Sequence, residues 1–123
     1  MEKKFYVFVY GTLRKGYWNH RLLENSEFLG EAITKEKYSL YADGIPYVVK
    51  IPKTHIKGEV YEVDEETLKR LDQLEEHPDV YYREEIEVLL NGKPIKAWIY
   101  FYPYPEGEFI PSGDYKDYGK GKI

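Results

Sequence analysis

Apolar and polar positions along the chain change their period several times, and each change marks an element. Phe5 to Tyr10 is an unbroken run of aromatic and β-branched residues, the pattern of a strand covered on both faces. Gly11 stops that run. Asn19 to Glu24 predicts one or two helical turns anchored by Leu22 and Leu23. Ser26 to Lys37 and Tyr38 to Ala42 read as strands, the first interrupted near Gly30, and Asp43-Gly44 supplies a turn ahead of Pro46. Tyr47 to Ile51 continues as a short strand. In the next, Ile56 to Val63, Ile56 and Val60 alternate with charged neighbours, as in a strand with one wet face.

After Asp64 the period becomes helical. Asp64 is a suitable N-cap, and Glu65 and Glu66 fall in the first turn, where carboxylates favour the positive end of the helix dipole. Pro78 is expected to end the segment, because it pushes His77 out of helical geometry. Tyr81 to Leu90 and Lys93 to Tyr102 then predict a hairpin about Asn91-Gly92. Residues 103–123 are rich in Gly, Pro and Tyr without periodicity and read as a tail that wraps or frays. Six or seven strands and one substantial helix imply an α+β fold, a mixed sheet curled into a partial barrel, with residues 1–123 forming a single domain. Strand order is not legible at this level.

The helix carries the first chemical signal. At about 100° per residue, with Leu68 at 0°, Leu71 falls at about 300° and Leu74 at about 240°, and Glu75 at about 340° lies between Leu68 and Leu71. Glu65, Glu66, Lys69, Arg70 and Glu76 point away from that stripe. Glu75 alone among the charges is aimed inward, and an inward carboxylate has a raised pKa suited to proton transfer near neutral pH. The competing reading is an ion pair between Glu75 and Arg83. Asp72 reads as a hydrogen-bonder at the rim, and Tyr81, Tyr82 and Arg83 as packing and pairing residues.

Composition removes several classes of function. There is no cysteine, hence no disulfide framework, thiolate metal site or cysteine nucleophile. His20, His55 and His77 are scattered and no metal motif appears, so neither metal nor cofactor is expected. A net charge of -4 argues against a nucleic-acid surface, and no apolar run approaches a membrane span. MEKK leads straight into a strand with no signal-peptide pattern, so a cytoplasmic protein is expected. Sixteen glutamates and 14 lysines against one glutamine and one methionine suggest heat adaptation. Gly11 and Gly16 have the spacing of a phosphate loop, but Tyr17 and Trp18 stand where its lysine and hydroxyl residue belong. The turn is left to cradle an anion or carbonyl by its Gly11, Thr12 and Leu13 amides, or simply to reverse the chain.

Five short motifs occur in order: YGTL at Tyr10 to Leu13, NH..L at Asn19 to Leu23, G.VY at Gly58 to Tyr61, LDQLE at Leu71 to Glu75, and Y.R at Tyr81 to Arg83. Together, across Val7 to about Tyr102, they resemble the gamma-glutamylcyclotransferase-like family, and most closely its gamma-glutamylamine cyclotransferase branch. Glutamate-glycine, frequent after this stretch in the family, is Glu75-Glu76 here. The resemblance implies a small mixed β-barrel with one main helix, and a cofactor-free enzyme that cyclises a small gamma-glutamyl compound to 5-oxoproline and releases an amine. It implies Glu75 as acid/base and Tyr10, Gly11, Thr12 and Leu13 as the loop holding the glutamyl part, with Tyr81 and Arg83 as possible pocket residues. Two rivals stand beside it: a binding module of the same fold, and a hydrolase using Asp72 with Glu75. The latter is disfavoured because i, i+3 spacing sets the carboxyls side by side and not across a substrate.

Overall fold

In a computed structural model that describes residues 3–118, five strands close into a mixed barrel. They are β1 (Lys4–Val9), β2 (Glu27–Thr34), β5 (Lys57–Asp64), β6 (Tyr82–Leu90) and β7 (Lys93–Phe101), joined in the order β1-β5-β2-β6-β7. β1 closes the ring, pairing antiparallel with β5 and parallel with β7 at Val7 and Trp98. The expected partial barrel is thus complete. β3 (Tyr38–Asp43) and β4 (Ile45–Thr54) form, with the short β8 (Glu108–Phe109), a second sheet in the order β4-β3-β8.

Period-2 alternation divides the core into two parts. Phe8, Ala32, Val60, Val88, Ala97 and Ile99, drawn from all five barrel strands, pack together inside the ring. Val7, Val9, Tyr61, Val63 and Tyr100, pointing the other way from β1, β5 and β7, pack beneath the helix with Leu68 and Leu71. β1 therefore has buried residues on both faces, which is why its sequence shows no alternation. The interruption near Gly30 is a register shift between Phe28 and Gly30 in the pairing of β2 with β5. Asn91 (φ 52°) and Gly92 (φ 81°) make the hairpin turn with the left-handed geometry that matches strand twist.

The helix α1 (Glu65–Leu74) begins as expected, with the Asp64 side chain accepting from the Thr67 amide at 2.7 Å. It ends earlier than Pro78. Glu76 takes a φ of 53°, a left-handed conformation that breaks the ladder before the proline is reached. Glu75 retains helical geometry (φ -86°, ψ -2°), and its amide still reaches the Leu71 carbonyl at 2.9 Å, so the phase argument holds one residue beyond the helix.

Among the described residues the tail wraps. β8 pairs with β3, Ile110 and Tyr115 are buried, and Asp114 accepts from Arg14 at 2.8 Å. Residues 119–123 of the expected tail lie outside the described residues. No helix among the described residues is long and apolar enough to cross a membrane.

Candidate active site

The turn after β1 is fixed by its neighbours. The Gly11 carbonyl accepts from the Arg14 amide at 3.0 Å, and the Thr12 carbonyl from the Asn19 amide at 3.1 Å. The Asn19 side-chain amide also donates to Thr12 Oγ1 at 2.9 Å. His20 Nδ1 lies 3.0 Å from the Leu13 carbonyl, which can only accept, so Nδ1 carries the proton. The Asn19-His20 pair is thereby explained as a brace for the loop, a role the sequence did not reveal. All these bonds use carbonyls. The Gly11, Thr12 and Leu13 amides donate to no acceptor among the described residues, and Gly11 and Leu13 are buried.

Gly11 is required by close approach and not by unusual backbone angles. A Cβ there would come 2.3 Å from Pro46 Cγ. Pro46 is held in turn, its carbonyl accepting from the Tyr81 hydroxyl at 2.8 Å. Tyr10 is anchored in the barrel core and donates its hydroxyl to the Tyr100 carbonyl at 2.7 Å, so it contributes to the site as an anchor for the loop.

The loop lines one side of a pocket of about 270 Å³, near the lower end of the about 300–1,000 Å³ usual for ligand clefts. Glu75 lies on the same pocket, with Tyr81 and Tyr100. Burial pushes the Glu75 carboxyl up to about 7 from its ordinary 4.5. That carboxyl makes no hydrogen bond or ion pair among the described residues. Burial above all pushes up the pKa of the Tyr10, Tyr81 and Tyr100 hydroxyls, the hydrogen bond to Asp72 adds to it at Tyr100, and the Glu75 charge adds to it at all three, keeping them protonated. Glu65, Glu66 and Glu76 are exposed.

Arg83 is neither a wall of this pocket nor a partner for Glu75. Its Nε and Nη2 donate to Asp72 at 2.8 and 3.2 Å, and its guanidinium stacks 4.5 Å from the Trp98 ring centre. The expected Glu75–Arg83 pair is replaced by this one because Asp72, on the helix itself, offers Arg83 a bidentate acceptor. Asp72 also accepts from the Tyr100 hydroxyl at 2.6 Å. Burial alone would raise the Asp72 pKa, but the hydrogen bonds from Arg83 and Tyr100 hold it below the ordinary value. With its oxygens so occupied and its side chain off the pocket wall, Asp72 is not arranged as a second catalytic carboxylate. Sequence reasoning missed Pro46 and Tyr100. The first had no local signal, while the second was accessible from the alternation of β7, which sets Tyr100 opposite Ile99 and Phe101.

No group of three or more His, Asp or Glu side chains among the described residues is gathered to hold a metal ion. The arrangement offers one carboxylate of near-neutral pKa on the same small pocket as the turn that carries the Gly11, Thr12 and Leu13 amides, a set suited to proton transfer beside a developing oxyanion.

Comparison with known proteins decides the family. The family model described as "Gamma-glutamyl cyclotransferase, AIG2-like" matches residues 7–117. The chain belongs to that family. A Methanocaldococcus jannaschii relative named "Putative gamma-glutamylcyclotransferase" is 60% identical over 116 residues, covering 92% of this chain and 97% of its own. The Bos taurus gamma-glutamylaminecyclotransferase is 42% identical over 130 residues, covering 93% and 77% respectively. Among solved structures, the mouse AIG2-like family member superposes with a TM-score of 0.81 at 30% identity, covering 97% of this chain and 91% of that one. The closed barrel with one main helix is thus the gamma-glutamyl cyclotransferase fold, and the five short motifs fall on the turn after β1, the helical turn Trp18–Leu23, strand β5, the helix end and the entry to β6.

Proposed function

We propose that the protein converts gamma-glutamyl amines to 5-oxoproline and the free amine, with Glu75 as general acid/base. The observation that carries the reading is the Glu75 carboxyl, which has no hydrogen bond or ion pair among the described residues, is pushed by burial to about 7, and shares one pocket with Gly11, Thr12 and Leu13, whose amides donate to no acceptor among those residues. The substrate's α-amine, in its neutral form, attacks its own γ-carbonyl carbon, forming the ring C–N bond. Glu75 takes a proton from the attacking nitrogen and hands it to the departing nitrogen as the γ-amide bond breaks. No water, metal or redox partner enters this balance. The Gly11, Thr12 and Leu13 amides are suited to stabilise the oxyanion, a contribution of about 10²–10³ in rate per donor. Folding the substrate into a ring-closing conformation supplies the remainder. The name of the Bos taurus relative favours an amine as leaving group.

The test is 5-oxoproline release by purified protein from a panel of gamma-glutamyl amides, with no added metal and after exhaustive chelation. Turnover that chelation leaves intact is the expected result. Binding without turnover would instead identify a ligand-binding module, and activity lost on chelation and restored by zinc or magnesium would overturn the chemistry.

A further inference from the structure

Residues 110–118 line no part of the pocket, yet they are tied to both segments that meet at its Gly11–Pro46 contact. One tie is ionic. Asp114, 4% exposed, accepts from Arg14 Nη1 at 2.8 Å, and Arg14 is the residue whose amide closes the β1 turn on the Gly11 carbonyl. Arg14 Nε is buried with no hydrogen-bond partner among the described residues, so the bond to Asp114 is the one that fixes the guanidinium. The other tie is made by Tyr115 and Tyr118, stacked with ring centres 5.8 Å apart. Tyr115 donates its hydroxyl to the Gly44 carbonyl at 3.0 Å, and the Tyr118 hydroxyl accepts from the Gly44 amide at 3.0 Å. Gly44 forms the turn between β3 and β4, just ahead of Pro46. The stretch is itself anchored. The Gly113 carbonyl accepts from the Lys57 amide at 2.8 Å, a Cβ on Gly113 would meet the His55 carbonyl at 2.0 Å, and Asp114 caps the short helical turn Tyr115–Asp117 by accepting from the Lys116 amide at 3.0 Å.

We propose that residues 113–118 are a clasp that positions the β1 turn for the reaction, with Asp114 as a positioning residue acting through Arg14, and Tyr115 and Tyr118 acting through the Gly44 turn. The inference rests on the cyclotransferase reading and goes beyond it by assigning part of the site's geometry to side chains that line no part of the pocket. The Gly11, Thr12 and Leu13 amides donate to no acceptor among the described residues, so their direction is set by what holds the groups around them. Asn19 and His20 hold the Thr12 and Leu13 carbonyls, and Glu59 holds the far end of the turn by accepting from the Lys15 amide at 3.0 Å. Arg14 lies between these, and its guanidinium bonds to the tail. Burial alone would raise the Asp114 pKa, but the hydrogen bonds from Arg14 and the Lys116 amide hold it below the ordinary value, so Asp114 is a carboxylate near neutral pH. A donor aimed at a developing oxyanion contributes only in the right direction, so a small displacement of the turn costs rate more than it costs binding.

The experiment measures kcat and KM for gamma-glutamyl methylamide with full-length protein, well below the thermal midpoint of every variant. Asp114→Asn keeps the shape of the side chain and its cap on the Lys116 amide but gives up the ionic partner of Arg14. Its kcat should fall about 10- to 100-fold, with KM changing by less than about threefold. Arg14→Met should do the same, and the double variant should be no worse than either single one, because the two side chains act through one bond. Arg14→Lys keeps a cation near Asp114 and should retain more of kcat than Arg14→Met. Replacing Tyr115 and Tyr118 together by phenylalanine should lower kcat about 3- to 10-fold, less than the ionic variants because neutral hydrogen bonds are weaker. Val88→Ala, in the barrel core, is the control for lost stability alone and should leave kcat within about twofold. The Gly11, Thr12 and Leu13 amide resonances, followed by heteronuclear NMR, should move in Asp114→Asn and stay in place in Val88→Ala. A lowered midpoint in Asp114→Asn with kcat and these resonances unchanged would overturn the inference, while 5-oxoproline release upheld the reading beneath it. Independent losses that multiply in the double variant would also overturn it. If Asp114→Asn fails to fold, Arg14→Lys against Arg14→Met reads the same bond from the turn, and equal kcat in those two and the parent would overturn the inference. Absence of 5-oxoproline with the parent protein would remove the cyclotransferase reading and the clasp's part in it, and the resonances would then show separately whether the tail sets the turn.

Discussion

Replacing Glu75 with glutamine preserves size and hydrogen-bonding reach but removes the ability to accept and return a proton near neutral pH. If Glu75 carries protons between the two nitrogens, kcat should fall by about 10²–10⁴ while affinity for a gamma-glutamyl amide changes little. The acid limb of the kcat profile, expected near pH 7 from the raised Glu75 pKa, should disappear with it. Stability should move in the opposite direction. The folded protein holds a proton on Glu75 up to about pH 7, whereas an unfolded chain releases it near 4.5. Between those values the folded state binds more protons, so stability falls as pH rises, and above pH 7 the carboxylate is a constant burden. The gap between 4.5 and about 7, at about 1.4 kcal/mol per pKa unit, is worth up to about 3 kcal/mol. The variant lacks this slope. At pH 8 it should therefore be the more stable protein, by up to about 10 °C in Tm for a chain of this length, and the advantage should shrink as pH falls towards 4.5.

Two measurements on one variant decide the matter: 5-oxoproline production, and thermal midpoints of both proteins from pH 5 to pH 8 at fixed ionic strength. Full turnover in the glutamine variant would refute the acid/base role. A variant whose midpoint runs parallel to the parent at every pH would refute the desolvated carboxyl. A large loss of stability at pH 8 would indicate a hidden ionic partner, since breaking a buried pair from one side costs about 3–5 kcal/mol. Arg83 cannot be that partner, being already engaged by Asp72 at 2.8 Å.

Three further outcomes follow from the same geometry. Gly11→Ala sets a Cβ 2.3 Å from Pro46 Cγ and should cost about 1–3 kcal/mol in thermal unfolding, with activity falling further than stability because the loop amides move. Asp72→Asn weakens hydrogen bonds to Arg83 and Tyr100 and should cost about 1–3 kcal/mol at pH 7; because the carboxyl titrates below 3.8, that difference should close only as pH falls beneath that value, read by denaturant melts from pH 7 to pH 2. Glu76→Gly relieves a φ of 53° and should be neutral or stabilising by up to about 1 kcal/mol, measured by urea unfolding.

Much of the fold was legible because most of its signals are local. The β1 run announced a strand buried on both sides, Asn91-Gly92 announced its hairpin, and Asp64 announced the helix start. Closure of the barrel was not legible, since it depends on β1 meeting β7 across 91 residues at Val7 and Trp98, a pairing with no local marker. The helix end was misjudged for a related reason. Pro78 is a strong breaker, but the chain had already turned at Glu76, whose left-handed conformation is uncommon for a glutamate and left no compositional trace.

That same residue links the sequence pattern to the site. Where the resemblance led to an expectation of glycine, this chain has Glu76 in the conformation glycine adopts most easily. The geometry explains why a glycine would suit the position: the chain must leave the helix immediately after Glu75, so that the carboxyl turns to the pocket while Tyr81 returns to donate to the Pro46 carbonyl. A non-glycine residue there bears a strain of order 1–3 kcal/mol unless its surroundings fix it, and such strain concentrates at functional sites. Here the bonds from the His77 amide to the Asp72 backbone carbonyl at 2.9 Å and from the Tyr81 amide to the Glu75 carbonyl at 3.1 Å enclose the turn on both sides. Glu76 thereby supplies what glycine lacks, a side-chain charge on the pocket wall at the point where the chain leaves the helix.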